Sequence, residues 1–168
     1  MAKHLTYDER LTIQELLKLG FSLSQISRKL NRNKSTISRE ISLRSTTNKK
    51  GCYGRSYNAC IYRFDCDLKS ICKKGKCSKR KNYCKFCQDC NDNCQYFKED
   101  ICNKLDRSPY VCNGCDDRTK CTLTKKYYSA KSAQKDYEEI LVDSRVGIES
   151  SPKELRRIDD IIKPLVKK

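Results

Sequence analysis

The sequence predicts a mainly α-helical chain with a small irregular region in its middle, and two observations lead to this fold class. Apolar side chains recur at helical spacing near both ends of the chain, over residues 6–41 and again over residues 130–165. Between residues 60 and 121, twelve of the 13 cysteines occur among too few other apolar residues to build a core. We therefore expect two helical parts and a middle part that cross-links hold together.

The first helix is predicted over residues 6–19. Thr6 and Glu9 have the spacing of a capping box, in which each side chain accepts a hydrogen bond from the backbone N–H group of the other residue. Leucine and isoleucine residues follow at helical intervals, and Gly20 lies just past the last of them, where a helix commonly stops. His4, the single histidine, precedes this helix and is expected to be solvated.

Two shorter helices are predicted within residues 21–41. Leu23, Ile26 and Leu30 recur at helical spacing and form one apolar face. The Asn-Arg-Asn sequence at residues 31–33 then interrupts the pattern with residue types that tolerate turn geometry. Together with the first helix this makes a three-helix unit, whose predicted core is Leu16, Leu17, Ile26, Leu30 and Ile37.

The last of these helices has the character of a DNA-reading helix. Ile37 and Ile41 give it only a narrow buried edge, and its other positions are small, hydroxylic or basic. Such a helix can enter a DNA major groove and donate to phosphates and base edges, so residues 1–43 are predicted to be a helix-turn-helix DNA-binding domain. A solvated surface helix in an ordinary helical domain is the alternative. The predicted DNA contacts are Arg32, Lys34, Ser35, Thr36, Ser38, Arg39 and Arg44.

The charge of the chain supports binding to a polyanion. Lysine and arginine number 37 against 21 aspartates and glutamates, which leaves a net charge of +16. The excess lies in the first two-thirds of the chain, whereas residues 127–168 carry nearly equal numbers of both signs. We therefore expect the first two-thirds to face DNA. Residues 44–59 are predicted to be a basic linker, which either follows the phosphate backbone or is simply solvated.

The cysteines predict a metal-binding module at residues 60–126. The N-terminus has charges where a signal peptide would need an apolar run, so we expect a cytosolic chain with reduced thiols. The Cys-x2-Cys knuckles at Cys84/Cys87 and Cys112/Cys115 favour zinc, with about three ions held by cysteine alone. Cys52 is the candidate for the unliganded thiol, and Cys60, Cys66, Cys72 and Cys77 are the preferred first set. The full set of predicted ligands adds Cys84, Cys87, Cys90, Cys94, Cys102, Cys112, Cys115 and Cys121.

An iron–sulfur cluster is the alternative to zinc. The run from Cys84 to Cys94 has the spacing of a bacterial ferredoxin motif, with Gln95 in place of the usual proline. Zinc is favoured because two-cluster ferredoxins carry such runs in pairs and this chain has one. The basic, polar surroundings also differ from the apolar shell that usually shields a cluster.

A lysine-rich loop within the cysteine-rich part predicts a second phosphate-binding surface. Residues 73–85 contain seven basic side chains and no acidic one. Such a loop should add affinity for DNA that does not depend on sequence. The predicted contacts are Lys73, Lys74, Lys76, Lys79, Arg80 and Lys81.

The C-terminal part, residues 127–168, is predicted to contain two helices. One is expected over residues 127–143, and a second begins at Ser151-Pro152, where a capping box and a proline at the first helical position coincide. Pro164 should end or kink it. Their apolar stripes make this part a helical linker and a candidate surface for a homodimer, although the stripes could equally pack on each other.

Several stretches resemble a family of bacterial transposases, the insertion sequence thirty family. They are HLTYDERLTIQELLKLGFSLSQISRKLNRNKSTISREI at residues 4–41, SPYVCNGC at 108–115, TKKYYSAKSAQKDYEE at 124–139, and SRVGIESSPKELRRIDDIIKPLVKK at 144–168. The resemblance implies that the helix-turn-helix recognises the terminal inverted repeats of a mobile element. It also implies a catalytic domain of the DDE type beyond this sequence, which itself offers no acidic triad and hence no catalytic residue.

The sequence therefore predicts the N-terminal, non-enzymatic part of a transposase, which binds double-stranded DNA in the bacterial cytoplasm and associates with the nucleoid. Neither a membrane nor a small-molecule substrate is an expected partner. A stand-alone zinc-containing transcriptional regulator is the alternative, and an iron–sulfur redox protein is the third hypothesis.

Overall fold

The computed structural model describes residues 4–72, 83–146, 153 and 156–161. It is mainly helical. The helices are α1 (Tyr7–Lys18), α2 (Leu23–Leu30), α3 (Lys34–Arg44), α4 (Cys90–Asn93) and α5 (Ala130–Val146), with short 3-10 helices at Cys84–Phe86 and Asp116–Thr119. The strands are β1 (Ser45–Asn48) and β2 (Lys125–Tyr128). Residues 156–161 are also helical.

Local hydrogen bonds begin the first two helices where the sequence predicts. At α1, the Thr6 hydroxyl accepts from the Glu9 N–H group at 3.2 Å, and the Glu9 carboxylate accepts from the Thr6 N–H group at 2.7 Å. A second capping box, Ser22 with Gln25, begins α2. Each box satisfies backbone N–H groups that the first helical turn leaves without partners. Gly20 follows α1 with a φ of +78°, a conformation that glycine adopts without steric cost.

The core of the three-helix unit also contains residues from far along the chain. Ile13, Ile26, Ile37 and Ile41 are completely buried, as expected from the helical spacing of apolar residues. The same cluster takes in Val111, Tyr128 and Ala133, while Leu30 is only partly buried at its edge. Because later segments cover one side of the three helices, Met1–Gln134 form one compact unit.

A two-stranded antiparallel ribbon continues directly from the end of α3. Strand β1 pairs with β2 so that Ser45 lies opposite Tyr128 and Asn48 lies opposite Lys125. The sequence predicts a linker over residues 44–59, whereas in the structure Ser45–Asn48 of that segment form a strand. The hydrogen bonds that define it come from a partner about 80 residues away, which local sequence does not reveal.

The helix that follows β2 begins later than the sequence predicts. The sequence predicts a helix from residue 127, but Tyr127 and Tyr128 belong to β2 and α5 begins at Ala130. The small side chains of Ala130 and Ala133 are completely buried. Small residues allow the first turn of α5 to approach the helices beneath it closely.

The remaining residues, 135–168, form a second compact unit. Its part of α5 exposes Ile140 and Val142 to solvent, and Ile158 and Ile161 are exposed in the helical stretch 156–161. The predicted start of the last helix, at residues 151 and 152, lies outside the described residues. So does its predicted end at residue 164. Among the described residues, no helix has the length and apolar character that crossing a membrane requires.

Candidate nucleic-acid interface

Helix α3 presents a polar, basic surface at its N-terminal end. Asn33 caps the helix, since its side-chain oxygen accepts from the Ser35 N–H group at 2.9 Å. Lys34, Ser35, Thr36 and Arg39 are exposed and Ser38 is half-buried. Five of the predicted DNA contacts therefore lie together on one end of one helix, beside the positive end of the helix dipole. This arrangement can donate hydrogen bonds to phosphates and to base edges.

The turn between α2 and α3 positions this surface. Asn31 adopts a left-handed conformation with a φ of 49°, which ends α2 and redirects the chain over three residues. Arg32 in the turn forms a two-pronged ion pair with Glu9, with Nε to Oε1 at 2.7 Å and Nη2 to Oε2 at 3.1 Å. Hydrogen bonding from Arg32 lowers the pKa of Glu9. In this structure the Arg32 guanidinium therefore ties the turn to α1.

Arg44, another predicted contact, is also engaged inside the protein. Its Nε donates to Glu40 Oε2 at 3.2 Å, one helical turn earlier on α3. One of its terminal nitrogens donates to the backbone carbonyl of Ala133 at 3.4 Å. Arg32 and Arg44 are thus placed in intramolecular contacts, whereas Lys34, Ser35, Thr36 and Arg39 on α3 are exposed to solvent.

A buried polar network anchors the opposite side of α3. Glu40 accepts hydrogen bonds from Arg10 Nε at 2.7 Å and from the Tyr128 hydroxyl at 3.2 Å, in addition to Arg44. Arg10 is only 1% exposed, and it also donates to the Leu5 carbonyl and to the Gln134 side chain. Burial raises the pKa of Tyr128, and the charge of Glu40 raises it further. The network therefore joins the recognition helix to α1, β2 and α5.

Sequence reasoning missed this network, although a signal was present. Arg10 lies on the apolar face of α1, three residues before Ile13, and Glu40 lies between Ile37 and Ile41 on the buried edge of α3. Opposite charges on the buried faces of two helices in one small unit predict an ion pair.

The ribbon extends the positive surface beyond α3. Thr46 and Thr47 on β1 are exposed, and so are Lys49 and Lys50 directly after it. Lys125 differs, because its ammonium group is directed inward and donates to the backbone carbonyls of Lys50 and Gly51. A ribbon with exposed hydroxyl and ammonium groups next to a recognition helix can contact phosphates on the flank of a binding site.

The second predicted phosphate-binding surface falls outside the described residues. This applies to Lys73, Lys74, Lys76, Lys79, Arg80 and Lys81, and also to the predicted ligand Cys77. The other predicted ligands are described, and so is Cys52, the candidate for the unliganded thiol; all of them are free thiols. Within residues 4–72 and 83–146, no group of three or more cysteine, histidine, aspartate or glutamate side chains is arranged so that it could hold a metal ion.

The thiols nevertheless lie within electrostatic reach of one another. Burial raises the pKa of Cys90 to about 12, and the thiols of Cys60 and Cys94 contribute to the rise, as do those of Cys84 and Cys87. These electrostatic interactions involve cysteines that are up to 34 positions apart in the chain.

Cys72 lies within electrostatic reach of two of the same thiols. Burial raises the pKa of Cys72, and so do the thiols of Cys87 and Cys84. The preferred first set of the sequence analysis placed Cys72 with Cys60, Cys66 and Cys77. This set stays a prediction, because Cys77 lies outside the described residues. The described thiols place Cys60 within electrostatic reach of Cys90, and Cys72 within electrostatic reach of Cys84 and Cys87.

Comparison with known families identifies the N-terminal unit. Residues 2–42 match the family model of a helix-turn-helix domain. The matched region contains α1, α2 and most of α3, so the predicted helix-turn-helix is confirmed by both the structure and the family. No curated protein and no solved structure matches the chain.

Proposed function

We propose that this chain binds double-stranded DNA through α3 as the N-terminal part of a DDE transposase, and that its targets are the terminal inverted repeats of a mobile element. One observation carries the DNA-binding part: a helix-turn-helix domain exposes Lys34, Thr36 and Arg39 on one end of its last helix. The net charge of +16 supports the same partner, because basic surfaces gain affinity by displacing counterions from phosphates. The transposase role rests on the resemblance of residues 4–41, 108–115, 124–139 and 144–168 to that family.

We also propose that the chain by itself does not cut or join DNA strands. Transfer of phosphoryl groups between strands requires clustered carboxylates that hold two metal ions. Acidic residues in the C-terminal unit, such as Glu138 and Glu139, instead alternate with lysines in the pattern of a solvated helix face. The chain is therefore proposed to bind DNA in the bacterial cytoplasm without cutting it, and to pair with a second copy when two element ends are brought together.

Zinc is the proposed cofactor. The donors are cysteine thiols with two Cys-x2-Cys knuckles, a set that suits the tetrahedral thiolate coordination of structural zinc. At the second knuckle, the Cys115 N–H group donates to the Cys112 carbonyl at 3.2 Å, so the backbone between the two cysteines forms a tight turn. When bound, zinc would supply a structural cross-link in a region with few other apolar residues.

The test is a selection of binding sites from random DNA duplexes with the purified chain, followed by incubation of the enriched duplex with Mg²⁺ or Mn²⁺. We expect enrichment of one sequence and its recurrence at both ends of the element that encodes the chain, with no strand cleavage. Enrichment of a site only upstream of the gene would favour a transcriptional regulator. Failure to enrich any sequence would contradict sequence-specific binding, and cleavage of the duplex would contradict a purely DNA-binding role.

A further inference from the structure

Four cysteine side chains from three parts of the chain line one cavity. Cys102, Cys112, Cys115 and Cys121 all border it, and its volume is about 380 Å³. Only two of the four belong to a Cys-x2-Cys knuckle, so sequence spacing alone does not associate the other two with it. The cavity lies against the C-terminal end of α1, where Leu17 and Gly20 also border it.

The knuckle that contributes two of these thiols is held firmly in place. The Cys112 N–H group donates to the Lys126 carbonyl at 2.7 Å. The Asn113 side chain donates to the Tyr128 carbonyl at 2.8 Å and accepts from the Tyr128 N–H group at 2.9 Å, so it pairs with β2 as another strand would. Gly114 packs closely against the end of α1. A larger residue would not fit there, because its Cβ atom would lie 2.5 Å from the Leu17 carbonyl oxygen.

The cavity itself separates these four cysteines from the others. Among the described cysteines, Cys102, Cys112, Cys115 and Cys121 are the ones that border it. Four cysteine thiolates are a complete ligand set for the tetrahedral coordination of structural zinc.

We propose that Cys102, Cys112, Cys115 and Cys121 together bind one zinc ion. This inference rests on the proposed zinc content and specifies which thiols share an ion. Binding would release four thiol protons to solvent and form four zinc–sulfur bonds. In the structure the thiols are not arranged to hold an ion, so binding requires their side chains to close on the metal, and the cavity between them gives the space for this movement.

The charges around the cavity fit such a centre. One zinc ion with four thiolates carries a net charge of about −2, which a protein must offset. Lys104, Arg107, Arg118 and Lys125 border the cavity, together with the two carboxylates of Asp116 and Asp117. Because the Lys125 ammonium group donates to the backbone carbonyls of Lys50 and Gly51, the positive charge near the cavity comes from Lys104, Arg107 and Arg118. Lys104 Nζ already lies 3.8 Å from Cys115 Sγ and 2.7 Å from Asp117 Oδ2.

The test compares the zinc content of the full chain with that of single and double variants, by mass spectrometry of the metal after dialysis. Cys115→Ser and Cys121→Ser are suitable because both thiols are only half-buried. Each single variant should lose about one zinc ion per chain, and the double variant should also lose only about one, because both thiols serve the same ion. Cys52→Ser, outside the cavity, is the matched control and should lose none.

Unchanged zinc in either single variant, or a loss of about two ions in the double variant, would overturn the grouping. As a second measurement on the unmodified chain, graded chelation with alkylation of exposed thiols should release all four cysteines at the same chelator concentration. Release of any one of them with Cys60 or Cys90 instead would also overturn it. DNA affinity measured on the same preparations separates this result from the DNA-binding proposal, and an unmodified chain without zinc would refute both zinc claims.

Discussion

Replacing Glu40 with glutamine should destabilise the helix-turn-helix unit far more than a typical surface substitution. Glu40 lies on the buried side of the recognition helix, with a side chain that is 9% exposed, and it accepts from Arg10, Arg44 and Tyr128. The Arg10 side chain is 2% exposed. Glutamine has nearly the same shape as glutamate, so the substitution removes the negative charge and replaces one accepting oxygen with an NH2 donor.

The expected cost follows from the burial of Arg10. Removal of one partner from a buried ion pair typically costs about 3–5 kcal/mol, because the remaining charge loses its compensation away from water. The glutamine oxygen can still accept one of the hydrogen bonds, so we expect a value of about 3 kcal/mol, near the lower end. Tyr128→Phe removes one donor to this carboxylate and should cost about 1.5 kcal/mol, the lower end for a hydrogen bond to a charged group. Since both changes act on the same carboxylate, the double variant should cost less than the sum.

Urea unfolding of each variant, followed by far-ultraviolet circular dichroism, measures these values. Glu15→Gln is the matched control, because Glu15 pairs with Lys18 at 2.7 Å on the exposed side of α1, and its unfolding midpoint should not change. A loss below about 1 kcal/mol for Glu40→Gln would refute the reasoning, since it would mean that water replaces the carboxylate at Arg10. Strict additivity with Tyr128→Phe would show that the network is not coupled.

Three further predictions concern DNA binding and the effect of zinc on stability. Arg39→Ala should reduce discrimination between specific and random duplexes by about 1–3 kcal/mol in competition binding, whereas the same loss on both duplexes would make Arg39 a phosphate contact only. Replacing Lys49 and Lys50 with glutamine should lower the slope of log affinity against log salt concentration by about 2 without changing sequence preference, and an unchanged slope would exclude the ribbon from the interface. The control for the Arg39→Ala experiment is Lys120→Ala, which removes an exposed cation outside the helix-turn-helix. Chelation of zinc should lower the thermal midpoint of the helix-turn-helix unit as well, because the knuckle at Cys112 packs on α1 and holds Tyr128, and an unchanged midpoint would contradict this coupling.

The local structure of the N-terminal unit followed from sequence because its causes are local. The capping box at Thr6 and the left-handed turn at Asn31 depend on residues within one helical turn of each other. The helical spacing of apolar residues then identifies which side of each helix is buried. The DNA-contact residues, the homodimer and the zinc content remain predictions. The family match supports the helix-turn-helix that contains the predicted DNA contacts from Arg32 to Arg39.

Tertiary structure alone decided how distant segments complete this unit. Pairing of β1 with β2, the contacts of Glu40 with Arg10 and Tyr128, and the position of Gly114 against Leu17 each join residues that lie 30 or more positions apart. Helical periodicity and capping report only neighbours along the chain, whereas these contacts depend on which segments share the limited core of a small unit. The association of Cys102 and Cys121 with the knuckle has the same origin, because cysteines at irregular spacing are brought to one cavity only by the packing of the chain around it.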